Sequence, residues 1–549
     1  MSSDETPRPS TTEAIPTEKA PPLTPNSVRP LMAWRSDILP LCTAFTSTLS
    51  IIVALTIVLV WAFIGIGHAR DTYFLNHVSG TRMALARSLD AGVLYPPLYD
   101  GSNYGGTRIM PLSIVLHASA ARLTGEYVMS GRLLSCFILL VLAVVIFRVL
   151  RDLQCPSSMA AILSAFVLVT EPGYRVGFSA LAADGLAVLL QLLAVSSVTA
   201  YRGRTGIVIS AALSALAFMT KFSALWAPMA VTTWLMMRKR NGVWLFTSTY
   251  VVLVATLMGI AGVVSAGRFF ENVFGFSLAG IGGIGQALHS PTLLIRTLFG
   301  NTPALWALVP VAVLGLAINL ARGEASIYDI SLICYVPLLF LIFVDIGAGD
   351  NHLLDLAVLG VLVIGHASSS LSRALDERSA VPRQLRSPRL TVVQTVVLLF
   401  ALWMTTTHLV VLVPDVYSAM AALTAGGNAN HRPLEGWITA HDTILSEDPY
   451  VPIALGQVPV VMDPFMLLRI GKRHPDAVRA LIERIEAREF DFVILTAPIE
   501  RTWWWERFHF GLDVIQAIDR SYDFAGGAEG YYVYAPAPLN SNAATGAPR

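Results

Sequence analysis

The sequence predicts an all-α polytopic membrane protein of about eleven transmembrane helices, with a small C-terminal α/β domain outside the membrane. Three observations predict it. The 549 residues are 54% hydrophobic and only 14% charged, well below the charge content of a soluble domain. Apolar runs of roughly 20 residues recur along most of the chain, the length at which a helix with all its backbone groups bonded internally crosses a bilayer. After about Pro414 those runs stop, and short β-branched stretches alternate with a helical pattern.

Taken in order, residues 1–30 are rich in Pro, Ser, Thr and Glu and too poor in apolar residues to fold alone, so a disordered cytoplasmic tail is expected. The first apolar run, about 38–66, is too long for a signal-peptide core and lacks a convincing cleavage site; it is expected to stay as the first crossing. Further crossings are expected near 131–148, 157–171, 184–201, 205–219, 222–237, 243–266, 302–320, 327–345, 352–368 and 390–413, the fifth and sixth being short. They make residues 31–413 the membrane domain, with 67–130 as its first outer loop.

Orientation follows from the excess of Lys and Arg in short cytoplasmic loops. With Arg29 and Arg35 inside, the other inside loops carry Arg148 and Arg151, Arg202 and Arg204, Arg238 to Arg240, Arg322, and Arg373 to Arg389. The pattern closes only if the 14 or so apolar residues from Met110 to Leu123 form an interfacial helix and not a crossing. An odd number of crossings then puts the C-terminus outside a multi-pass cell membrane, whose lipid bilayer is the first partner.

From 414 to 540 the stretches around TILSED, DAVRALIERIEAREF and DFVILTA, closed by the hairpin-like SYDFAGGAEGYYVYAP, predict the α/β domain; residues 541–549 are expected to be a disordered tail. Lys+Arg 38 against Asp+Glu 37 gives no bulk pull toward nucleic acid, which is not expected as a partner. The four cysteines, Cys42, Cys136, Cys155 and Cys334, form no CxxC pair, and no DxD pair is present; no metal ligand is assigned, and participation of a divalent metal stays open.

With this topology the polar side chains collect outside, in the stretches 70–108, 171–184, 268–296 and 345–352 and the turn at Lys221. Asp71 stands where the first helix meets water. Arg82 and Arg87 lie on a helical pattern, followed by YPPLY and a Gly-rich turn ending in Arg108. Such a segment suits an interfacial helix whose guanidinium groups pair with a phosphate, and it would equally suit anionic headgroups. Asp184, two residues into an apolar run, needs an offset such as Lys221 or Arg175, or a place in a substrate pocket. Asp350, Asn351 and His352 sit between two apolar runs on the outer side, where a capped helix start would account for Asp350 and Asn351.

These stretches resemble a known family. An acid at the outer end of the first helix, YPP followed by Tyr104, Thr107, Arg108 and Pro111, GRLLS from Gly131, ADGLA around Asp184, TKFSALWAP around Lys221, GAGDNHLLDL near Asp350 and LSEDPYVPIALGQVPVVMDPF together resemble the polytopic GT-C glycosyltransferases. The resemblance is to the bacterial branch related to protein mannosyltransferases, aminoarabinose transferases and Rgt-like sugar transferases, from Ile38 onward. It implies an inverting enzyme that takes a sugar from a polyprenyl-phosphate donor to a lipid, glycan or protein acceptor on the outer face.

In that family Asp71 corresponds by position to the general base on the acceptor hydroxyl, a role that a carboxylate can fill. Inversion needs no protein nucleophile, so one carboxylate suffices. The resemblance also implies a donor-phosphate role for Arg82, Tyr104, Arg108 and Lys221, and an acceptor or sugar pocket at Asp184, Asp350, Asn351 and His352. Two departures stand out: Thr72 follows Asp71 where some relatives have a second acid, and Arg108 stands near the loop's proline where the aminoarabinose transferases have a lysine.

Other signals are set aside. Gly280, Gly282 and Gly285 have dinucleotide-loop spacing but no preceding strand. His117 and His408 suit packed polar positions, and Trp503, Trp504 and Trp505 suit membrane contact. A transporter or flippase of a lipid-linked glycan is the alternative from another class, but it would place ionisable groups mid-bilayer on several helices, whereas here they gather at helix ends. A non-catalytic scaffold stays open. The orientation has a direct check: a reporter active only in the cytoplasm, fused after Arg549, is expected to be silent, and activity there would overturn the outer-face assignment.

Overall fold

The computed structural model describes residues 29–69, 77–178, 183–201, 203–238, 240–277, 284–345, 347–378, 392–424, 434, 437–528 and 530–538. Each apolar run expected to cross carries a helix: α1 (Arg29–Ala69), then, after α2 (His77–Asp90) and α3 (Pro111–Thr124) of the first outer loop, α4 (Tyr127–Asp152) and α5 (Ser157–Val169). After α6 (Glu171–Phe178) come α7 (Ala183–Ala200), α8 (Arg204–Thr220), α9 (Trp226–Arg238) and α10 (Arg240–Val264). Beyond α11 (Arg268–Ser277) and α12 (Ile284–Asn301) lie α13 (Pro303–Ala321), α14 (Ile327–Ile342), α15 (Leu353–Arg378) and α16 (Val392–Leu409), followed by α17 (Val413–Thr424).

Among the described residues seven helices are long and apolar enough to cross a membrane, or eight if the bent pair α5 and α6 counts as one span. The helices α8, α9 and α14, of 17, 13 and 16 residues, are shorter than an untilted crossing needs. The run expected at 157–171 does not continue straight. Its axis turns by 65° between α5 and α6. Thr170 there is extended, its hydroxyl bonds the Val167 carbonyl at 2.8 Å, and a Cβ on Gly173 would lie 1.9 Å from that same oxygen, so the break depends on glycine. Stretch 268–296 differs from a plain loop as well, since it is largely helical in α11 and α12.

At the middle of the bundle is α15 with the turn before it: 94% of its apolar window is buried inside the protein, against 6% for α10 at the periphery. At its far end, Asp329 closes a capping box with Ser326 at the start of α14 and also takes bonds from Asn319 at 2.8 Å and His366 at 3.0 Å. That buried carboxylate thereby ties α13, α14 and α15 together.

After the bundle, α17 folds back on α1, where Ala419 lies against Gly67 and His68 pairs with Asp415 at 3.7 Å. The strands begin only at β1 (Ile444–Ser446). After it come α18 (Tyr450–Ala454), α19 (Pro464–Arg473), α20 (Pro475–Glu486) and β2 (Phe492–Leu495); then α21 (Thr502–Arg507), α22 (Leu512–Ser521), β3 (Tyr522–Ala528) and β4 (Tyr531–Pro536). The sheet order is β1-β2-β4-β3, with β1 and β2 parallel and the other pairs antiparallel. Val493 and Leu495, alternating along β2, and the period of Ala477, Leu481 and Ile485 in α20 form the core between sheet and helices. Leu98 and Tyr104 of the first outer loop are buried in the same core.

The bend at α5 and α6 generates a stability test. Gly177 of α6 meets the fully buried Trp61, and a Cβ there would lie 2.1 Å from the indole. Gly177→Ala is expected to lower stability by about 1–3 kcal/mol through overpacking, read as a lower Tm in detergent. The matched change Gly259→Ala, at a helical site with nothing within 4 Å of the new Cβ, is expected to be neutral or mildly stabilising.

Candidate active site

Asp184 lies in the first turn of α7 and Lys221 directly after the last turn of α8, so each helix dipole favours the charge at its end. The two side chains meet: Lys221 Nζ donates to Asp184 Oδ1. Asn351 Nδ2 donates to the same oxygen at 2.9 Å, and Arg82 of α2 stands 3.9 Å from Asp184 Oδ2. Lys221 also donates to His352 Nδ1 at 3.0 Å, which leaves the proton of a neutral imidazole on Nε2. Burial pulls the Arg82 guanidinium below its ordinary pKa, with Asp184 opposing and Arg108 adding to the effect.

One turn deeper, Asp355 accepts from Trp226 Nε1 at 2.6 Å and Gln191 Nε2 at 3.4 Å, while Gln191 Oε1 accepts the Ala227 amide at 3.2 Å. The hydroxyl of Tyr335 donates to the His352 carbonyl. These bonds fasten α7, α9, α14 and α15 beneath the charged cluster.

Above it, Arg108 Nη1 bonds Asp345 Oδ2 at 2.8 Å, and its guanidinium lies 4.3 Å from the ring centroid of Phe465 in α19. To one side, Arg175 of α6 pairs with the buried Asp350 at 3.0 Å.

Arg82, Lys221, Asp184, Asn351 and His352 are thus brought together, with Arg108 and Asp350 at the edge. Asp71 lies outside the described residues. Tyr104 goes elsewhere: its hydroxyl is buried and donates to the Ala477 carbonyl at 2.7 Å, and its ring stacks on Tyr99. An apolar aromatic body draws it into the core under the sheet, which corrects its expected place at a phosphate. Arg87 likewise bonds the carbonyls of Gln457 at 2.9 Å and Gly456 at 2.5 Å, fastening the loop to the end of α18 and not to a headgroup.

Asp90, at the end of α2, takes Arg122 at 2.6 Å and the Tyr127 hydroxyl at 2.6 Å. The cap position of the short turn 350–352 is Gly349, while the Asp350 carboxylate lies against the backbone amides of Asp350 and Asn351. Of the three adjacent tryptophans, Trp505 is buried, Trp504 bonds Glu447 at 2.9 Å, and Trp503 is exposed.

Sequence reasoning missed Asp345, Asp355, Gln191, Trp226, Tyr335 and Phe465, because no spacing along the chain links them. The one available signal was an acid in an apolar run, which Asp355 shares with Asp184. No group of three or more His, Cys, Asp or Glu suited to a metal occurs among the described residues.

If the pairing with Lys221 is what keeps Asp184 buried, Lys221→Met should cost roughly 3–5 kcal/mol by stranding the carboxylate. The double variant Lys221→Met/Asp184→Asn should recover more than half of that, measured by thermal unfolding in detergent. Equal destabilisation in single and double variants would mean that packing, not charge, is being lost.

No protein-family model matches the sequence, and neither does any curated protein. Solved structures do. ArnT from Cupriavidus metallidurans in the apo state superposes with a TM-score of 0.55 at 12% identity, over 89% of this chain and 97% of that one. The same protein bound to undecaprenyl phosphate gives 0.48 at 12% identity over the same shares. An oligosaccharyltransferase from Archaeoglobus fulgidus in the apo form gives 0.48 at 12% identity, over 89% of this chain and 75% of that one. At such identity the likeness is one of fold, and the first of these superpositions carries it: the chain has the fold of the GT-C glycosyltransferases, the family that its sequence resembles.

Proposed function

We propose that the chain is a membrane glycosyltransferase that moves a sugar from a polyprenyl-phosphate donor to a lipid, glycan or protein acceptor on the outer face, with inversion. The observation that carries this reading is the convergence of Arg82, Lys221, Asp184, Asn351 and His352 from four separate stretches of chain, beside Arg108, in a protein with the GT-C fold. A set of positioned cations with hydrogen-bonding partners suits a phosphate whose charge grows as the sugar leaves.

In this reading Arg108, Arg82 and Lys221 hold the donor phosphate, and Asp71 removes the acceptor's proton as its oxygen bonds the anomeric carbon. Asp184 accepts from Lys221 and Asn351 and has Arg82 beside it, so its carboxylate is occupied in orienting cations and is the weaker choice of base. Asn351, His352 and Asp350 are the groups nearest to where a sugar would sit. A transporter is less favoured, since the ionisable side chains of this cluster meet at helix ends.

The test is transfer of labelled sugar by the purified, reconstituted protein. Asp71→Asn is expected to lower turnover by about 10²- to 10⁴-fold with donor binding retained. Arg108→Ala should lower it by on the order of 10²-fold or more, with weaker donor binding. Asp100→Asn, in an exposed turn where the carboxylate takes the Asn103 amide at 2.7 Å, should leave turnover near wild type. Full activity in Asp71→Asn together with none in Asp184→Asn would move the base to α7; wild-type turnover in Asp71→Asn, Arg108→Ala and Asp184→Asn alike would sink the enzyme reading.

A further inference from the structure

The C-terminal layer sends a second arginine toward Arg108. In α19, Phe465 and Arg469 are one turn apart and share a face; the Arg469 guanidinium lies 4.1 Å from the Phe465 ring centroid, and that of Arg108 lies 4.3 Å from it. Two like charges therefore gather at one ring, an arrangement that costs energy unless an anion stands between or beside them.

Asp345 and Asp463 lie close enough to favour the charge on Arg469, but neither forms a hydrogen bond or ion pair with it. Asp345 is bonded to Arg108 at 2.8 Å. Asp463 is buried and used as the cap of α19, accepting the Phe465 amide at 3.1 Å and the Met466 amide at 3.3 Å. Arg469 makes no hydrogen bond or ion pair with any described residue, and its buried Nε finds no acceptor there. An arginine carries five donors and no acceptor, so a half-buried one in this state is built for a ligand with several acceptor oxygens.

Resting on the reading of the site as a glycosyltransferase centre, we propose that Arg469 and Arg108 form a paired guanidinium clamp for the phosphate of the lipid carrier, so that the C-terminal layer completes the donor site. The chemistry favours such a pair at the leaving group. When the bond between the anomeric carbon and the phosphate oxygen breaks, its electron pair stays on that oxygen, while the acceptor oxygen bonds the carbon and gives its proton to the base. A phosphodiester with one negative charge thereby becomes a monoester that carries a second. One guanidinium fixes the donor, and the second takes up the charge that appears.

The clamp can be read by binding alone. The full-length protein in detergent is titrated with undecaprenyl phosphate, with undecaprenol and with inorganic phosphate, and retention is followed by native mass spectrometry. Arg469→Met keeps the stem over Phe465 and removes the charge; it is expected to weaken undecaprenyl phosphate at least 10-fold and leave undecaprenol unchanged. Arg469→Lys, a point charge without the fork, should fall between, and it carries the test if Arg469→Met fails to fold. Arg520→Ala, at an exposed pair with Glu486, should bind as wild type does.

Wild-type affinity in Arg469→Met, with loss in Arg108→Ala, would overturn the clamp and leave the donor site of the preceding section standing. Inorganic phosphate held as tightly as the lipid phosphate would show a free-anion site and overturn the lipid assignment. No preference of the wild-type protein for undecaprenyl phosphate over undecaprenol would overturn both readings together.

Discussion

A carboxylate inside an apolar bundle must be matched by donors, and around Asp184 that requirement organises the whole end of the molecule. Lys221 comes from the end of α8, Asn351 from the turn before α15, and Arg82 from α2, so four parts of the chain are held by one acidic side chain. Lys221 passes the constraint on to His352, and Asp355 with Trp226 and Gln191 repeats the device one turn deeper. The cations are consequently presented without freedom to wander, and a preorganised donor needs little rearrangement when charge develops on a substrate.

A second set of contacts joins the first outer loop to the sheet-bearing layer. Tyr104 pairs its backbone with Val460 and Met462 at 2.7 and 2.8 Å and buries its ring under the sheet, Arg87 binds the carbonyls that follow α18, and Arg484 reaches the Ser102 carbonyl at 2.5 Å. These bonds set the height of Arg108, which leaves the loop immediately afterwards and stacks on Phe465. The layer is therefore joined to the loop that carries Arg108, and Phe465 makes the contact.

Much of the site was legible because ionisable residues at the ends of apolar runs are costly and few. Arg82, Arg108, Lys221, Asp184, Asn351 and His352 were all selected on that ground or by the family resemblance, and the structure gathers them. Tyr104 and Arg87 show the limit of a motif, which gives a residue type and an order but no partner: the tyrosine ring is buried in a core with its hydroxyl on the Ala477 carbonyl, and the guanidinium bonds the carbonyls of Gly456 and Gln457. The meeting of Phe465 and Arg469 with Arg108 is not legible, because nothing along 465–469 distinguishes a helix on the surface from one that meets a loop more than 350 residues earlier.

The sequence by itself determined that the chain is a helical membrane protein ending in an α/β unit, since the length of apolar runs and the shift from a period near 3.6 to one of 2 are local properties of the bilayer and the backbone. It also determined where the charges must be compensated. Tertiary structure alone decided by what: Lys221 and Asn351 for Asp184, Arg175 for Asp350, Asp345 for Arg108. The reason is physical. Charge pairing in a low-dielectric interior depends on distances of a few ångström between segments far apart in the chain, and those distances exist only once the helices have packed.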